Sequence, residues 1–124
     1  MHRILIVDDD VDICANLSDI LSDAGYETEA AIDGNIALSK VTEEGSANER
    51  DFDLCLLDFK MPGMDGVELL TRLKDLRPDL RAIMITAYAG DDGIQRAVEA
   101  GSWKVLKKPV DIGELLGTIE EAVA

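Results

Sequence analysis

The most informative segment of the chain is LCLLDFKMPGMDG, residues 54–66. Its first four residues are apolar and uncharged, as in a strand buried on both faces of a parallel sheet, and this strand ends at Asp58. The run from Met61 to Gly66 predicts a tight loop. Asp65 is a suitable N-cap for a helix over the residues that follow, where apolar side chains recur at helical spacing. The segment is a strand–loop–helix unit, which is the building block of α/β folds.

The same alternation of short apolar runs with helical patterns extends through the rest of the chain. The other predicted strands cover residues 4–7, 26–31, 82–85 and 103–106. Asp9 or Asp10 caps the first helix, and the alternation of residues 26–31 predicts an edge strand with one wet face. We expect a doubly wound α/β fold with five helices, whose parallel sheet has the strand order 2-1-3-4-5.

Length and composition restrict the class of protein. The 124 residues predict one domain over residues 1–124, and no uncharged apolar run is long enough to span a membrane. A net charge of −14 repels nucleic acids and anionic lipid surfaces, so we expect this domain to bind neither. The absence of an export signal predicts a cytoplasmic protein. Cys14 and Cys55 fit no disulfide or metal pattern and are expected to be free core thiols.

Polar side chains follow four of the predicted strands. They are Asp8, Asp9 and Asp10 after the first strand, Asp58 after the third, Thr86 after the fourth and Lys108 after the fifth. Because strands 1 and 3 are neighbours in the expected order, Asp58 should lie beside Asp8 and Asp9 at one edge of the sheet. Singly, each residue has a structural explanation as a helix cap or a surface charge. Their coincidence at one edge favours a functional site.

Three carboxylates in one pocket require a cation or a raised pKa. Oxygen ligands without a nearby His or Cys favour Mg²⁺, which takes one or two carboxylates together with water and phosphate oxygens. Asp58 is the candidate nucleophile, because a carboxylate can accept a phosphoryl group as an acyl phosphate. Mg²⁺, the Lys108 ammonium and the Thr86 hydroxyl would neutralise charge on the transferring group.

These motifs resemble the receiver domain of bacterial two-component response regulators, over the whole chain. The residues that carry the resemblance are Ile4 to Asp10, Leu57-Asp58 with the loop Met61 to Gly66, Ile85-Thr86-Ala87, and Lys108-Pro109. The resemblance implies that a histidine kinase or phosphotransfer protein phosphorylates Asp58. Phosphorylation would repack the face formed by the fourth helix, fifth strand and fifth helix for an output domain or partner protein, with a phosphorylation-dependent dimer as a further option.

The resemblance also implies roles for individual residues. Asp9 and Asp58 would bind Mg²⁺ directly, Asp8 would bind it through water, and the Lys60 backbone carbonyl would add a ligand. Thr86 and Lys108 would contact the phosphoryl group. The Lys108-Pro109 bond would be cis. The domain would catalyse its own phosphorylation and dephosphorylation and no other reaction.

The chain departs from the family pattern at the position three residues before Lys108. Val105 stands where the family usually has a Tyr or Phe that rotates on activation, and Trp103 is a candidate substitute. Lys60 and Tyr88 occupy the positions two residues beyond Asp58 and Thr86, which flank the path of the attacking water. Their bulk and the added charge predict slow dephosphorylation, which a longer half-life than that of Lys60→Asn would support.

Two other interpretations fit parts of the sequence. Asp8-Asp9-Asp10-Val11 also resembles the nucleophile motif of haloacid-dehalogenase-like phosphatases, in which Asp8 would be the nucleophile. Against it, 124 residues leave no room for a substrate-selecting cap, and that motif does not require Asp58. A receiver-shaped interaction module that is never phosphorylated is the other alternative. Multiple turnovers of a phosphate ester would indicate the phosphatase, and a modification assay would identify the unphosphorylated module.

Overall fold

The structure is a computed structural model that describes residues 2–42, 52–61, 63–87 and 91–124, with side chains omitted at 91–93. The described strands are Arg3–Val7 (β1), Glu27–Ala31 (β2), Leu54–Asp58 (β3), Arg81–Thr86 (β4) and Lys104–Lys107 (β5). The described helices are Val11–Asp23 (α1), Gly34–Thr42 (α2), Gly66–Leu76 (α3), Asp91–Glu99 (α4) and Ile112–Val123 (α5). The strands are parallel and have the order β2-β1-β3-β4-β5, which confirms the predicted fold.

The sheet separates two apolar cores. Side chains of β1 alternate between them: Leu5 and Val7 pack with α2, α3 and α4, whereas Ile4 and Ile6 pack with α1 and α5. Cys55 belongs to the first core and Cys14 to the second, and both thiols are free and buried as predicted. Within the described residues, no helix is both long and apolar enough to cross a bilayer.

Aspartates cap four of the described helices; at α2, the Asp33 carboxylate accepts a hydrogen bond of 2.8 Å from the Ile36 amide. Asp10 caps α1 by accepting hydrogen bonds from the amides of Asp12 and Ile13. The preceding Asp9 is therefore not the helix cap, and its carboxylate is available at the carboxyl ends of the strands. Asp65 caps α3 and Asp111 caps α5 in the same way. These caps place the start of each helix just beyond the carboxyl ends of the strands, where the polar residues collect.

The edge strand β2 differs from the sequence expectation. Glu29 is half-buried and Ala30 is exposed, so the predicted wet face is wrong. The reason is that helices cover both faces of this strand: the Ser18 hydroxyl of α1 lies 2.6 Å from that of Thr28, while Glu29 pairs with Arg3 and with Lys40 of α2. Ion pairing, rather than solvent, accommodates the Glu29 carboxylate.

Three large apolar residues that helical periodicity places on core faces are exposed, of which Ile36 in α2 is the least exposed, at 37%. Leu76 ends α3 with 51% of its surface exposed, and Val98 of α4 is 58% exposed. Leu76 lies in the last turn, where the helix leaves the sheet. Val98 is adjacent to the buried Ala97 but turns away from the sheet, because one residue advances about 100° around a helix.

Candidate functional site

Asp58 lies at the carboxyl end of the middle strand. It is the last residue of β3, and only 7% of its surface is exposed. β3 pairs with β1 on one side and β4 on the other, so Asp58 opens onto the crevice in which doubly wound sheets bind ligands. Its Oδ1 lies 3.1 Å from the Lys108 Nζ. A buried carboxylate is thus paired with a cation at the edge of the sheet.

Lys108 brings its ammonium group to two carboxylates. Besides the contact with Asp58, its Nζ lies 3.3 Å from Asp8 Oδ2. The backbone N–H of Lys108 donates to the Thr86 carbonyl oxygen at 2.8 Å, which holds it beside the end of β4. The Lys108-Pro109 peptide bond is cis, as expected. Lys108 therefore belongs to the site rather than to the solvated surface.

Asp8, Asp9 and Asp58 form one carboxylate cluster. One oxygen from each of them lies within 4.8 Å of the others; Asp8 and Asp58 are buried and Asp9 is exposed. The second oxygen of Asp8 accepts a hydrogen bond of 2.9 Å from the Asp10 amide, which orients the Asp8 carboxylate. Lys108 neutralises only one of the three negative charges. The donor set, all oxygen and open to solvent through Asp9, suits a hard cation that keeps part of its water shell.

Burial dominates the electrostatics of Asp58. Loss of solvent raises the pKa of its carboxyl; the Lys108 hydrogen bond lowers it but does not cancel the effect of burial, and the charge of Asp8 raises it further. For Lys108, burial lowers the pKa of the ammonium, but the combined effect of Asp58 and Asp8 is larger and the pKa is raised. Lys108 is therefore charged at neutral pH, and the cluster retains excess negative charge that a second cation would relieve.

The remaining predicted site residues lie at different distances from the cluster. Thr86 ends β4, is buried and shares the backbone contact with Lys108. Lys60 is exposed two residues beyond Asp58, and its side chain lines a second cavity between the β3–α3 loop and α4. Tyr88 lies outside the described residues. The expected slow dephosphorylation stays a prediction.

A cavity of about 530 Å³ opens from the cluster toward α1 and α5. Asp8, Asp58 and Lys108 form part of its wall, and most of the remaining lining is apolar. On the side of α1 and α5, the lining residues without charge are Ile13, Asn16, Leu17, Ile20, Val110 and Ile112. In the sequence, Ile13 and Ile20 recur at the spacing of a helix core face, and this pattern does not reveal the cavity, because helical periodicity cannot distinguish a packed face from the wall of a groove.

Val105 and Trp103 pack on opposite faces of the sheet. Val105 contacts the core beneath α2, α3 and α4, whereas Trp103 joins the core beneath α1 and α5. The Arg81 guanidinium lies 5.7 Å from the Trp103 ring centre. Trp103 therefore does not replace an aromatic side chain at position 105, because its ring is on the wrong side of β5.

Gly66 permits the tight passage from the carboxyl end of β3 into α3. A Cβ at this position would collide with the Asp58 carbonyl oxygen and lie 2.9 Å from Met84 Sδ. The Gly66 amide donates to the Phe59 carbonyl oxygen at 2.8 Å. Sequence reasoning placed Gly66 in a turn but missed this close approach, which depends on the packing of α3 against β3 and β4.

Residues 4–120 match the family model of the response regulator receiver domain. The chain belongs to this family. Sporulation initiation phosphotransferase F of Bacillus subtilis (strain 168) is 40% identical over 120 residues, which cover 97% of this chain and 92% of that protein. The CheY-like receiver domain protein of Methanospirillum hungatei JF-1 has a TM-score of 0.89 and 39% identity; the match covers 99% of this chain and 94% of that one.

Other relatives are longer than the chain. Transcriptional regulatory protein ZraR of Klebsiella oxytoca is 38% identical over 121 residues, which cover 98% of this chain but 26% of ZraR. The chain therefore spans nearly all of some relatives and about a quarter of others. By the family match, the chain is a response regulator receiver domain, which is a signalling domain rather than a classical enzyme.

The haloacid-dehalogenase alternative is not supported. The family match is to response regulators. In the structure, the Asp8 carboxylate accepts a hydrogen bond from Asp10 and contacts Lys108, so both of its oxygens are engaged. Such a carboxylate is better suited to orienting neighbouring groups than to attacking a substrate.

Proposed function

We propose that residues 1–124 form a receiver domain that accepts a phosphoryl group on Asp58 from the phosphohistidine of a sensor histidine kinase or phosphotransfer protein. The observation that carries this proposal is the position of Asp58: a buried carboxylate at the end of β3, 3.1 Å from the Lys108 ammonium and clustered with Asp8 and Asp9. This arrangement offers a nucleophile and countercharges for a phosphoryl group in one crevice.

In the proposed transfer, an Asp58 carboxylate oxygen attacks phosphorus in line with the leaving imidazole nitrogen. The new O–P bond makes an acyl phosphate, the N–P bond breaks, and the imidazole takes a proton from solvent. Lys108 neutralises charge on the transferring oxygens, and the Thr86 hydroxyl donates to one of them. The attacking carboxylate form of Asp58 needs no general base, because it carries no proton to be removed. Water later attacks phosphorus, the bond from Asp58 oxygen to phosphorus breaks, and inorganic phosphate leaves the free carboxylate behind.

The carboxylate cluster fits Mg²⁺. We propose that Asp9 and Asp58 ligate it directly, that Asp8 holds it through water, and that the Lys60 backbone carbonyl supplies a further ligand. When bound, the ion supplies charge neutralisation between the cluster and the phosphoryl oxygens. Asp8 also holds the Lys108 ammonium, so that this side chain stays directed at Asp58.

The proposed output surface is the α4–β5–α5 face. The amide of Lys108 and the carbonyl of Thr86 connect the site directly to the ends of β4 and β5. A phosphoryl group that draws the Thr86 hydroxyl inward would shift a two-state equilibrium on this face, and an output domain or partner protein would read it. A phosphorylation-dependent dimer could use the same face. We propose a cytoplasmic location and, given the charge of −14, no direct binding to nucleic acid or membrane by this domain.

The test is incubation with acetyl phosphate and Mg²⁺, followed by intact mass and peptide mapping. We expect one labile phosphoryl adduct that maps to Asp58, is lost when EDTA is present from the start, and is absent from Asp58→Asn. Asp53→Asn is a matched control, because Asp53 lies just before β3 at the opposite edge of the sheet. No adduct under saturating donor would identify an interaction module that is not phosphorylated and would overturn the proposal.

A further inference from the structure

Helix α4 has few apolar anchors on the sheet. Its side chains are described from Ile94 to Glu99, and within this range only Ala97 is buried. Helix α3 instead buries three leucines, Leu69, Leu70 and Leu73. Because an alanine removes much less apolar surface from water than a leucine, polar contacts carry a larger share of what holds α4 in place.

Arg96 extends from α4 to both ends of the loop between β3 and α3. Its Nη2 lies 3.4 Å from Asp65 Oδ2, and its guanidinium carbon lies 5.8 Å from the centre of the Phe59 ring. A cation over an aromatic face and a surface ion pair are each weak, but here one side chain makes both. These residues surround an open cavity of about 480 Å³ whose other lining residues are Lys60 and Met61.

The two residues that Arg96 contacts are firmly connected to the site. Phe59 directly follows Asp58, its amide donates to the Ile85 carbonyl oxygen at 3.0 Å, and its own carbonyl accepts from the Gly66 amide. Asp65 caps α3 through a hydrogen bond of 2.8 Å to the Glu68 amide. A movement of the backbone after Asp58 would therefore be transmitted to the two groups that hold Arg96.

We propose that Arg96 is a positioning residue that tethers α4 to the loop following Asp58, so that the position of α4 and the arrangement of this loop are coupled. The coupling itself does not depend on the proposed function, but its role in signalling does. Modification of Asp58 would displace Phe59 and Asp65 and so change the contacts that position α4. In the unmodified chain, the tether favours the arrangement described here, and its loss releases both elements.

The test compares hydrogen exchange in the unmodified protein for wild type, Arg96→Ala and Arg72→Ala. Arg72 is a matched control: it is 54% exposed against 53% for Arg96, and it forms an ion pair of 3.5 Å with Glu68 that does not reach the loop. We expect Arg96→Ala to raise exchange roughly threefold to tenfold at the Phe59 and Gly66 amides and in α4, and Arg72→Ala to leave them unchanged. Alanine favours helix, so faster exchange in the loop would not reflect a weaker helix.

Two further variants separate a tether from a general loss of stability. Asp65→Asn keeps an N-cap but removes the charge, so it should loosen α4 and should add little to Arg96→Ala in the double variant. Arg96→Lys keeps the charge and should restore most of the protection. Unchanged loop exchange in Arg96→Ala, or additive effects of the two substitutions, would overturn the tether. These measurements need no phosphodonor, so a failure of acetyl phosphate to modify Asp58 would count against the proposed function alone.

Discussion

At the scale of single residues, Asp58 combines two opposed requirements. A phosphoacceptor must be ionised, yet its burial at the end of β3 raises the pKa of the carboxyl. The Lys108 ammonium reduces this cost without removing it. Local stability is thus given up at a functional position, as is common where carboxylates are gathered for chemistry.

Asp58→Asn is expected to stabilise the folded chain at neutral pH by about 1–2 kcal/mol. The folded state holds the Asp58 proton more tightly than the unfolded state, so the ionised carboxylate disfavours folding above its folded-state pKa, and this penalty fades as the pH falls through that pKa. Lys108 keeps Asp8 as a partner in the variant. Urea unfolding of both proteins over a pH series should show a stability difference that shrinks toward acid. A difference that does not change with pH, or a less stable variant at pH 7, would contradict a raised pKa of Asp58 in the folded protein.

Lys108→Met is expected to slow phosphorylation by acetyl phosphate about a hundredfold, because it removes the ammonium that faces the phosphoryl oxygens while keeping an unbranched side chain. Lys107→Met is the matched control, since the Lys107 side chain is an exposed neighbour on β5. Rates of adduct formation by intact mass provide the measurement. Equal rates in the two variants would exclude Lys108 from the reaction.

At the scale of elements, the loop between β3 and α3 sets the geometry of the site. Asp65 begins α3, and Gly66 lets its first turn approach the Asp58 backbone. Val105, within β5, packs in the core beneath α2, α3 and α4, whereas Trp103, just before β5, packs in the core beneath α1 and α5.

Gly66→Ala is expected to destabilise the protein by about 1–3 kcal/mol and to slow phosphorylation of Asp58, because the added methyl group must displace the Asp58 backbone or α3. Gly117→Ala is a control within α5, where a Cβ meets no atom within 4 Å and the substitution should stabilise by about 0.5–1 kcal/mol. Thermal unfolding measures the stability of the two variants, and intact mass measures their rates of phosphorylation. A Gly66→Ala protein with wild-type stability and rate would show that the contact is not restrictive.

At the scale of the whole molecule, the charge of −14 and the carboxylate cluster act together. Any salt screens the repulsion among surface charges, whereas a specific ion is held only where the ligands converge. Stabilisation by Mg²⁺ therefore has a general part and a site-specific part, which can be separated at matched ionic strength.

Mg²⁺ is expected to raise the free energy of unfolding beyond the effect of NaCl at the same ionic strength, by about 2.7 kcal/mol when the free ion is a hundredfold above its Kd. EDTA should reverse the shift. Asp9→Asn should lose most of it. The metal-free variant should be at least as stable as wild type, because Asp9 is exposed, does not cap α1, and adds to the negative charge around Asp58. Thermal unfolding with and without Mg²⁺ gives the shift. The same Mg²⁺ effect in wild type and Asp9→Asn would argue against the cluster as the site.

The strand order was expected by analogy with flavodoxin-like sheets. Local sequence patterns predicted the alternation of strands and helices, the free thiols, and the acidic, hydroxyl and ammonium side chains at the strand ends. These follow from local periodicity, capping and the rule that parallel strands end at a common edge. Only the tertiary structure decided the half-burial of Glu29, the cavity beside Ile13 and Ile20, the opposite faces of Val105 and Trp103, and the reach of Arg96 to Phe59 and Asp65. Each of these depends on distances between elements far apart in the chain, which no local pattern encodes.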